Sequence, residues 1–356
     1  MTRTLGSALL ASLVVWQFPA AGSASSGRGA GGQQLVERQA YLMGTSVRLV
    51  AYDARREAGL NRLEGALRAL EDTEQELSTW RADSDISVLN RTPVGTPWRA
   101  SARLCRMFTD VLEWQQASGG AFDPAVGVLV GVWNIHEGGR IPSPSEVAFA
   151  LGHAGSRWLD FDPLACTLTR RTEVTIDVGA FGKGEALDRA AVVLGDGAWM
   201  IDLGGQVSVN GRLPDGQSWT VEIADPVDRQ RAVATLQLQS GSLSTSGGSE
   251  RDMRVEGRRV GHILDPRTGL PASFNGSVSV WHQSGLVADM LSTALYVMGP
   301  DQGVRWATAQ GVEAAFLIPD NGGVRIVGTP AFTRRLQPAR AATAGAATFR
   351  ESNEPE

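Results

Sequence analysis

The chain has 356 residues, 42% of them apolar, enough to bury a sizeable core in one large domain or two modest ones. Its 38 acidic and 33 basic residues leave a net charge of -5, and no long run of Lys or Arg interrupts the sequence. This balance argues against nucleic acid as a partner.

Residues 1–25 have the layout of a secretory signal peptide: Arg3, an apolar stretch from Leu5 to Phe18, then small residues from Ala20 to Ala24. The apolar run is shorter than the about 20 residues a membrane helix needs. An exported, periplasmic or otherwise extracytoplasmic protein is expected, and with no cysteine near the cleavage region a lipid-modified N-terminus is not. Cys105 and Cys166 are the only cysteines; an exported chain could pair them, or both could be buried thiols.

A Gly/Gln-rich linker fills 26–35, and the folded domain is expected over 36–333. "SVRLVAYD" (46–53) alternates as a strand, and Leu60, Leu63, Leu67, Leu70 and Leu77 then recur at helical spacing. Residues 101–118 read as a second helix, and 143–155 as a third, with Ser143 as N-cap, Pro144 at the first position and Glu146 completing a capping box. From 157 onward, short alternating segments divided by glycine pairs predict antiparallel strands, with helices at 183–194 and 286–298. The fold class is therefore α+β, antiparallel sheets with packed helices. The Ala-rich, then polar tail, 334–356, is expected to lack order.

Three segments could carry chemistry. "VTIDVGAFGKGEALDRAAVVLG" (174–195) reads as strand, glycine-rich turn and helix, a way of bringing bare backbone amides and the charge of Lys183 to an anion. It fits neither the P-loop nor the dinucleotide fingerprint, and a plain strand-to-helix turn explains it as well. In "LVADMLSTALYVMGP" (286–300), a helix closed by Gly299 and Pro300, Asp289 and Thr293 stand four residues apart on the edge of a buried stripe. Two hard oxygens so placed suit Mg²⁺, although Asp289 could equally pair with a base and Thr293 with its own helix. In "VEGRRVGHILDPRTGLP" a hairpin leads through His262 into a proline turn, and by local pattern a lone strand histidine is more often structural than catalytic.

Taken in order, "LMGTSVRL", "LSTWRADSDISVLN", "GGAFDPAVGVL", "DVGAFGKGEALDRAA", "IDLGGQVSVNG", "STSGGSER", "GHILDPRTGLP" and "VADMLSTALYVMG" resemble the successive signature blocks of the ApbE family, the FAD:protein FMN transferases, from Met43 to Gly299. The resemblance implies a T-fold-like α+β architecture. It also implies an exported enzyme that uses FAD and Mg²⁺ to place FMN on a threonine hydroxyl of an acceptor protein, releasing AMP, and that associates peripherally with membrane redox complexes. Some relatives hydrolyse FAD to FMN and AMP instead, and a non-catalytic exported FAD-binding protein is a third reading. By resemblance, Asp289, Thr293 and the carbonyl of Gly182 are metal ligands, and Lys183, Gly179 and Gly184 line the FAD pyrophosphate. Met43, Trp80, Asp123, Asp177, Thr245 and Ser246 fall in blocks that line the FAD site. His262 lies near the reacting phosphate as base or phosphate-orienting group, with Asp265 holding its turn. The chain departs from the family pattern at Trp80 and Glu185, where Tyr is usual, and at Gly248 and Ser249, where an aromatic is expected after "TSG".

Overall fold

The strand expected at 46–53 spans Thr45–Asp53 and is the second of nine in the main sheet of the computed structural model, which describes residues 32–248, 252–339 and 348–351. We number these strands β1 (Gln34–Leu42), β2 (Thr45–Asp53), β3 (Trp199–Leu203), β4 (Gln206–Asn210), β5 (Ser240–Gly247), β6 (Ser277–His282), β7 (Glu313–Asp320), β8 (Gly323–Gly328) and β9 (Thr348–Glu351). They lie side by side in that order, each neighbouring pair antiparallel except β8 and β9, which run parallel.

The period-two alternation assigns the two faces. Leu49, Ala51, Ile201 and Leu203 pack on one face against helix α1 (Arg56–Leu77), through Leu63, Ala66 and Leu70, and against α2 (Gly182–Leu194), through Ala186, Leu187 and Ala190. Val50, Met200, Val207 and Val209 point the other way, onto a three-stranded sheet of Trp219–Ala224, Ala232–Leu238 and Leu336–Pro338. Helix α3 (Gly285–Ala309) packs through Leu286, Met290, Leu291 and Ala294 in a third cluster with Val278 and Val280 of β6 and with Leu104 and Phe108.

Three expectations change. Residues 174–178 form no strand: Asn90 donates to the Ile176 carbonyl (2.9 Å) and accepts from its amide (2.7 Å), and the Asp177 amide reaches Pro124 O (2.9 Å). A side-chain amide thus satisfies the backbone that a sheet would otherwise pair. The helix expected over 286–298 does close at Gly299, which leaves helical geometry at φ 73°; a second helical stretch starts at Pro300 and runs to Ala309. The tail from 334 contains two strands among its described residues, Leu336–Pro338 and β9, because each finds an open sheet edge. The first strand begins at Gln34, inside the expected linker, while the signal peptide at 1–25 lies outside the described residues. Among the described residues no helix is long and apolar enough to cross a membrane.

Cys105 and Cys166 form a disulfide, their Cα atoms 5.3 Å apart, tying the helix Ala102–Ala117 to the chain before Thr167–Arg170. Constraining a loop this long in the unfolded state is worth about 2–4 kcal/mol. A Cys105→Ala/Cys166→Ala variant should lose that much in urea unfolding; an unchanged midpoint would remove the disulfide from the stability argument.

Candidate active site

Helices α2 and α3 approach each other at two glycines. A Cβ on Gly184 would lie 2.2 Å from the Gly285 carbonyl oxygen, and one on Gly285 would lie 2.9 Å from the Gly184 carbonyl oxygen. Asp188 of α2 secures the contact, accepting from the amides of Gly285 (2.5 Å) and Leu286 (3.0 Å) and from Ser284 Oγ (2.6 Å) at the start of α3. Gly184→Ala is accordingly expected to cost about 1–3 kcal/mol of stability, since backbone stands in the way and no rotamer relieves it; thermal melts would show it.

One turn into α3 this approach places Asp289 beside the N-terminus of α2. The residue is 3% exposed, more deeply buried than a stripe edge predicts. Its Oδ2 accepts the Gly184 amide at 3.0 Å, and its Oδ1 lies 3.3 Å from Lys183 Nζ and 3.4 Å from Ser244 Oγ. Ser246 Oγ lies 2.8 Å from Ser292 Oγ and 3.5 Å from Thr293 Oγ1. The alternation of β5 turns Ser244 and Ser246 toward α3, whereas Thr245 is exposed on the other face and pairs with Ser279 Oγ at 2.8 Å. Thr245 is thus not among the groups gathered around Asp289.

Met43 occupies the left-handed region (φ 52°) in the turn from β1 to β2, and its amide donates to Glu74 Oε1 at 3.0 Å. Its Cε lies 3.6 Å from where a Gly182 Cβ would stand, so the methionine covers the start of α2. Asp177 Oδ1 accepts the Gly179 amide at 2.8 Å, and its Oδ2 is 3.0 Å from His136 Nε2. The His136 ring meets Trp80 edge-on at 5.2 Å, and Trp80 is 67% exposed. Glu185, in the usual tyrosine position, is buried and bonded to Arg189 (2.6 Å), which also reaches Glu76 (2.8 Å); burial pushes the Glu185 carboxyl up, against the pull of Arg189.

Asp123 does not present a free carboxylate: it accepts from the Ala125 amide (2.8 Å), the Ser156 amide (2.9 Å) and Ser156 Oγ (2.7 Å), with Gln115 Nε2 at 3.2 Å. It ties its own loop to the turn at Ser156. Asp265 likewise spends both oxygens on Arg267, which donates from Nε and Nη2 at 2.9 Å each. Its reach is to the turn, not to a reacting group.

His262 follows the hairpin Met253–Val255/Arg258–Val260. Leu129, Trp133, Val147 and Ala150 pack against Met253, Val260 and Leu264 of this loop, and Trp133 Nε1 donates to Gly269 O at 2.8 Å. The imidazole Nδ1 lies 3.1 Å from Asp252 Oδ1, which also accepts the His262 amide at 3.2 Å. Arg259 Nε holds Asp252 Oδ2 at 2.6 Å. Burial raises the Asp252 carboxyl, but the bonds from His262 and Arg259 outweigh it and hold the group below its ordinary range. Beside Asp252 and Arg259 opens a cavity of about 290 Å³ that also borders Asn275, Phe274 and Tyr296. Tyr296 shares α3 with Asp289 and Thr293 at positions i, i+4 and i+7, so one helix face runs from the carboxylate site to the histidine's partner.

No motif or spacing singles out His136, Asp252, Tyr296, Ser244 or Ser292. The only available signal for His136 was its place in the "AFDPAVGVLVGVWNIH" stretch as one of four histidines.

A helix N-terminus, a lysine ammonium and a buried carboxylate with a hydroxyl four residues on could hold an anion and a hard cation together. Among the described residues there is no cluster of three or more His, Cys, Asp or Glu fit to hold a metal. The Lys183 ammonium, 3.3 Å from Asp289, already marks the spot as cation-accepting. These features define an α+β protein in which two helices cross at a glycine pair and set a buried carboxylate beside a lysine.

The sequence profile of the ApbE family matches residues 43–316, and the chain belongs to that family. It is 29% identical over 304 residues to the FAD:protein FMN transferase of Salmonella typhimurium, covering 82% of this chain and 86% of that one. It is 30% identical over 306 residues to the enzyme of the same name from Treponema pallidum, covering 80% and 84%. The crystal structure of the ApbE protein of Thermotoga maritima superposes with a TM-score of 0.78 at 29% identity, over 85% of this chain and 99% of that one. The α+β, largely antiparallel architecture is thus that of the family's solved structures.

Proposed function

We propose that the protein transfers FMN from FAD to a threonine hydroxyl of an acceptor protein, with Mg²⁺, releasing AMP. The observation that carries this reading is the 3%-exposed Asp289 set between the Lys183 ammonium and the first turn of α2. Lys183 and the positive end of α2 would bind the pyrophosphate, whose non-bridging oxygens gain charge as the phosphoanhydride breaks. Asp289 and Thr293, with the Gly182 carbonyl, would hold Mg²⁺, which supplies charge neutralisation at those oxygens. Trp80 and His136 offer an aromatic rim on which a flavin ring can lie, and Asp177 fixes His136 in it.

His262 would take the proton of the threonine hydroxyl as its oxygen bonds to the FMN phosphorus and the bond to the AMP phosphate breaks. The electron pair leaves with AMP. A disulfide between Cys105 and Cys166 supports export to an oxidising compartment, where the acceptors would include subunits at the periphery of membrane redox complexes.

The test is incubation with FAD, Mg²⁺ and a candidate acceptor, followed by denaturation and measurement of flavin on the acceptor. Covalent flavin on a threonine together with equimolar AMP is expected. Quantitative free FMN and AMP with no labelled acceptor would make the protein a hydrolase.

A further inference from the structure

We propose that Asp252 is a positioning residue for His262, holding the imidazole as the Nδ1-protonated tautomer so that Nε2 is the nitrogen left to receive the acceptor's proton. This rests on the reading of His262 as the base.

The geometry is specific. A carboxylate can only accept, so the 3.1 Å contact between Asp252 Oδ1 and His262 Nδ1 requires the proton on Nδ1. The same oxygen accepts the histidine's own amide at 3.2 Å, which binds carboxylate and ring into one unit. Arg259 Nε on Oδ2 at 2.6 Å fixes the carboxylate from its other side. The side chains of Asp252 and His262 are 11% and 19% exposed, sheltered enough for the orientation to persist.

The surroundings favour an ionised Asp252. Tyr296, the other titratable group facing it, has its phenol pushed up to about 12 by burial and then by the charge of Asp252, and it spends its proton on Phe274 O at 2.8 Å. It therefore stays neutral and does not compete for the carboxylate. Gly248 completes the fit, because a Cβ there would stand 2.8 Å from both Asp252 Oδ2 and Arg259 Nη2 and 3.1 Å from the Tyr296 hydroxyl. The departure from the family pattern at Gly248 thus makes room for the carboxylate that orients the histidine.

The experiment compares Asp252→Asn, Asp252→Glu, His262→Ala and the Asp252→Asn/His262→Ala double variant in full-length protein, using single-acceptor transfer and FAD binding as separate readouts. Asp252→Asn should lower kcat about 10–100-fold, a part of the 10²–10⁴ that a general base supplies, with KM for FAD unchanged. Asp252→Glu should recover part of the loss, and Asp252→Asn should change nothing further once His262 is gone. In wild-type protein, ¹⁵N histidine spectra should show the neutral His262 ring protonated at Nδ1, a result independent of whether the Asn variant folds. Full-rate transfer by Asp252→Asn, an additive loss in the double variant, or a ring protonated at Nε2 would each overturn the assignment of Asp252 while His262→Ala remains impaired. Wild-type transfer by His262→Ala would instead overturn the role of His262 as the base.

Discussion

Replacement of His262 by alanine is expected to lower the rate of FMN transfer about 10²–10⁴-fold, the range that a positioned general base contributes. The side chain is 19% exposed and held through Nδ1 by Asp252, so its removal takes away an oriented nitrogen rather than a packing group. The hairpin should survive, because its contacts to Leu129, Trp133 and Val147 run through Met253, Val260 and Leu264. FAD affinity should therefore change little, and the loss should fall on kcat. Single-turnover transfer at saturating FAD, with a melt to confirm folding, measures it; a variant that transfers at the wild-type rate would end the base assignment.

Loss of Asp289 is expected to be at least as costly, and by a different route. A metal that neutralises phosphoryl oxygens is worth several kcal/mol in the transition state, so Asp289→Ala should reduce transfer about 10³-fold and abolish activation by Mg²⁺. The same change leaves the Gly184 amide and the Lys183 ammonium without their acceptor at the helix crossing. Breaking such a pair costs about 3 kcal/mol, the low end for buried pairs because the Lys183 side chain is 21% exposed. Asp289→Asn separates the two effects, since its carbonyl still accepts from Gly184 while its charge is gone. A smaller stability loss than in Asp289→Ala, with no Mg²⁺ activation, is the expected result; full Mg²⁺ activation of the Asn variant would remove Asp289 from the ligand set.

The ease with which these residues were found in the sequence varies with the range of the forces that place them. Asp289 and Thr293 share a helix, and four residues is a distance that helical geometry alone converts into adjacency. The capping box at Ser143 and Glu146 was equally legible, and both of its reciprocal bonds form. Residues 174–178 have the alternation of a strand, yet Asn90, 86 positions from Ile176, takes up the backbone groups that a neighbouring strand would have used. Thr245 and Ser246 are adjacent in a polar turn-like run, and only the register of β5 between β4 and β6 shows that they face opposite sides of the sheet.

The sequence by itself determined the local periods, the caps, the α+β class and the family pattern, because these depend on residues within a few positions of one another or on their linear order. Tertiary structure alone decided that Gly184 and Gly285 meet and deliver Asp289 to Lys183, that Cys105 reaches Cys166, that Asp123 spends its carboxylate on Ser156, and that Asp252 holds His262. The reason is physical: hydrogen bonds and ion pairs act over about 3 Å, and which groups come that close is set by how helices and strands distant in the chain pack their buried faces.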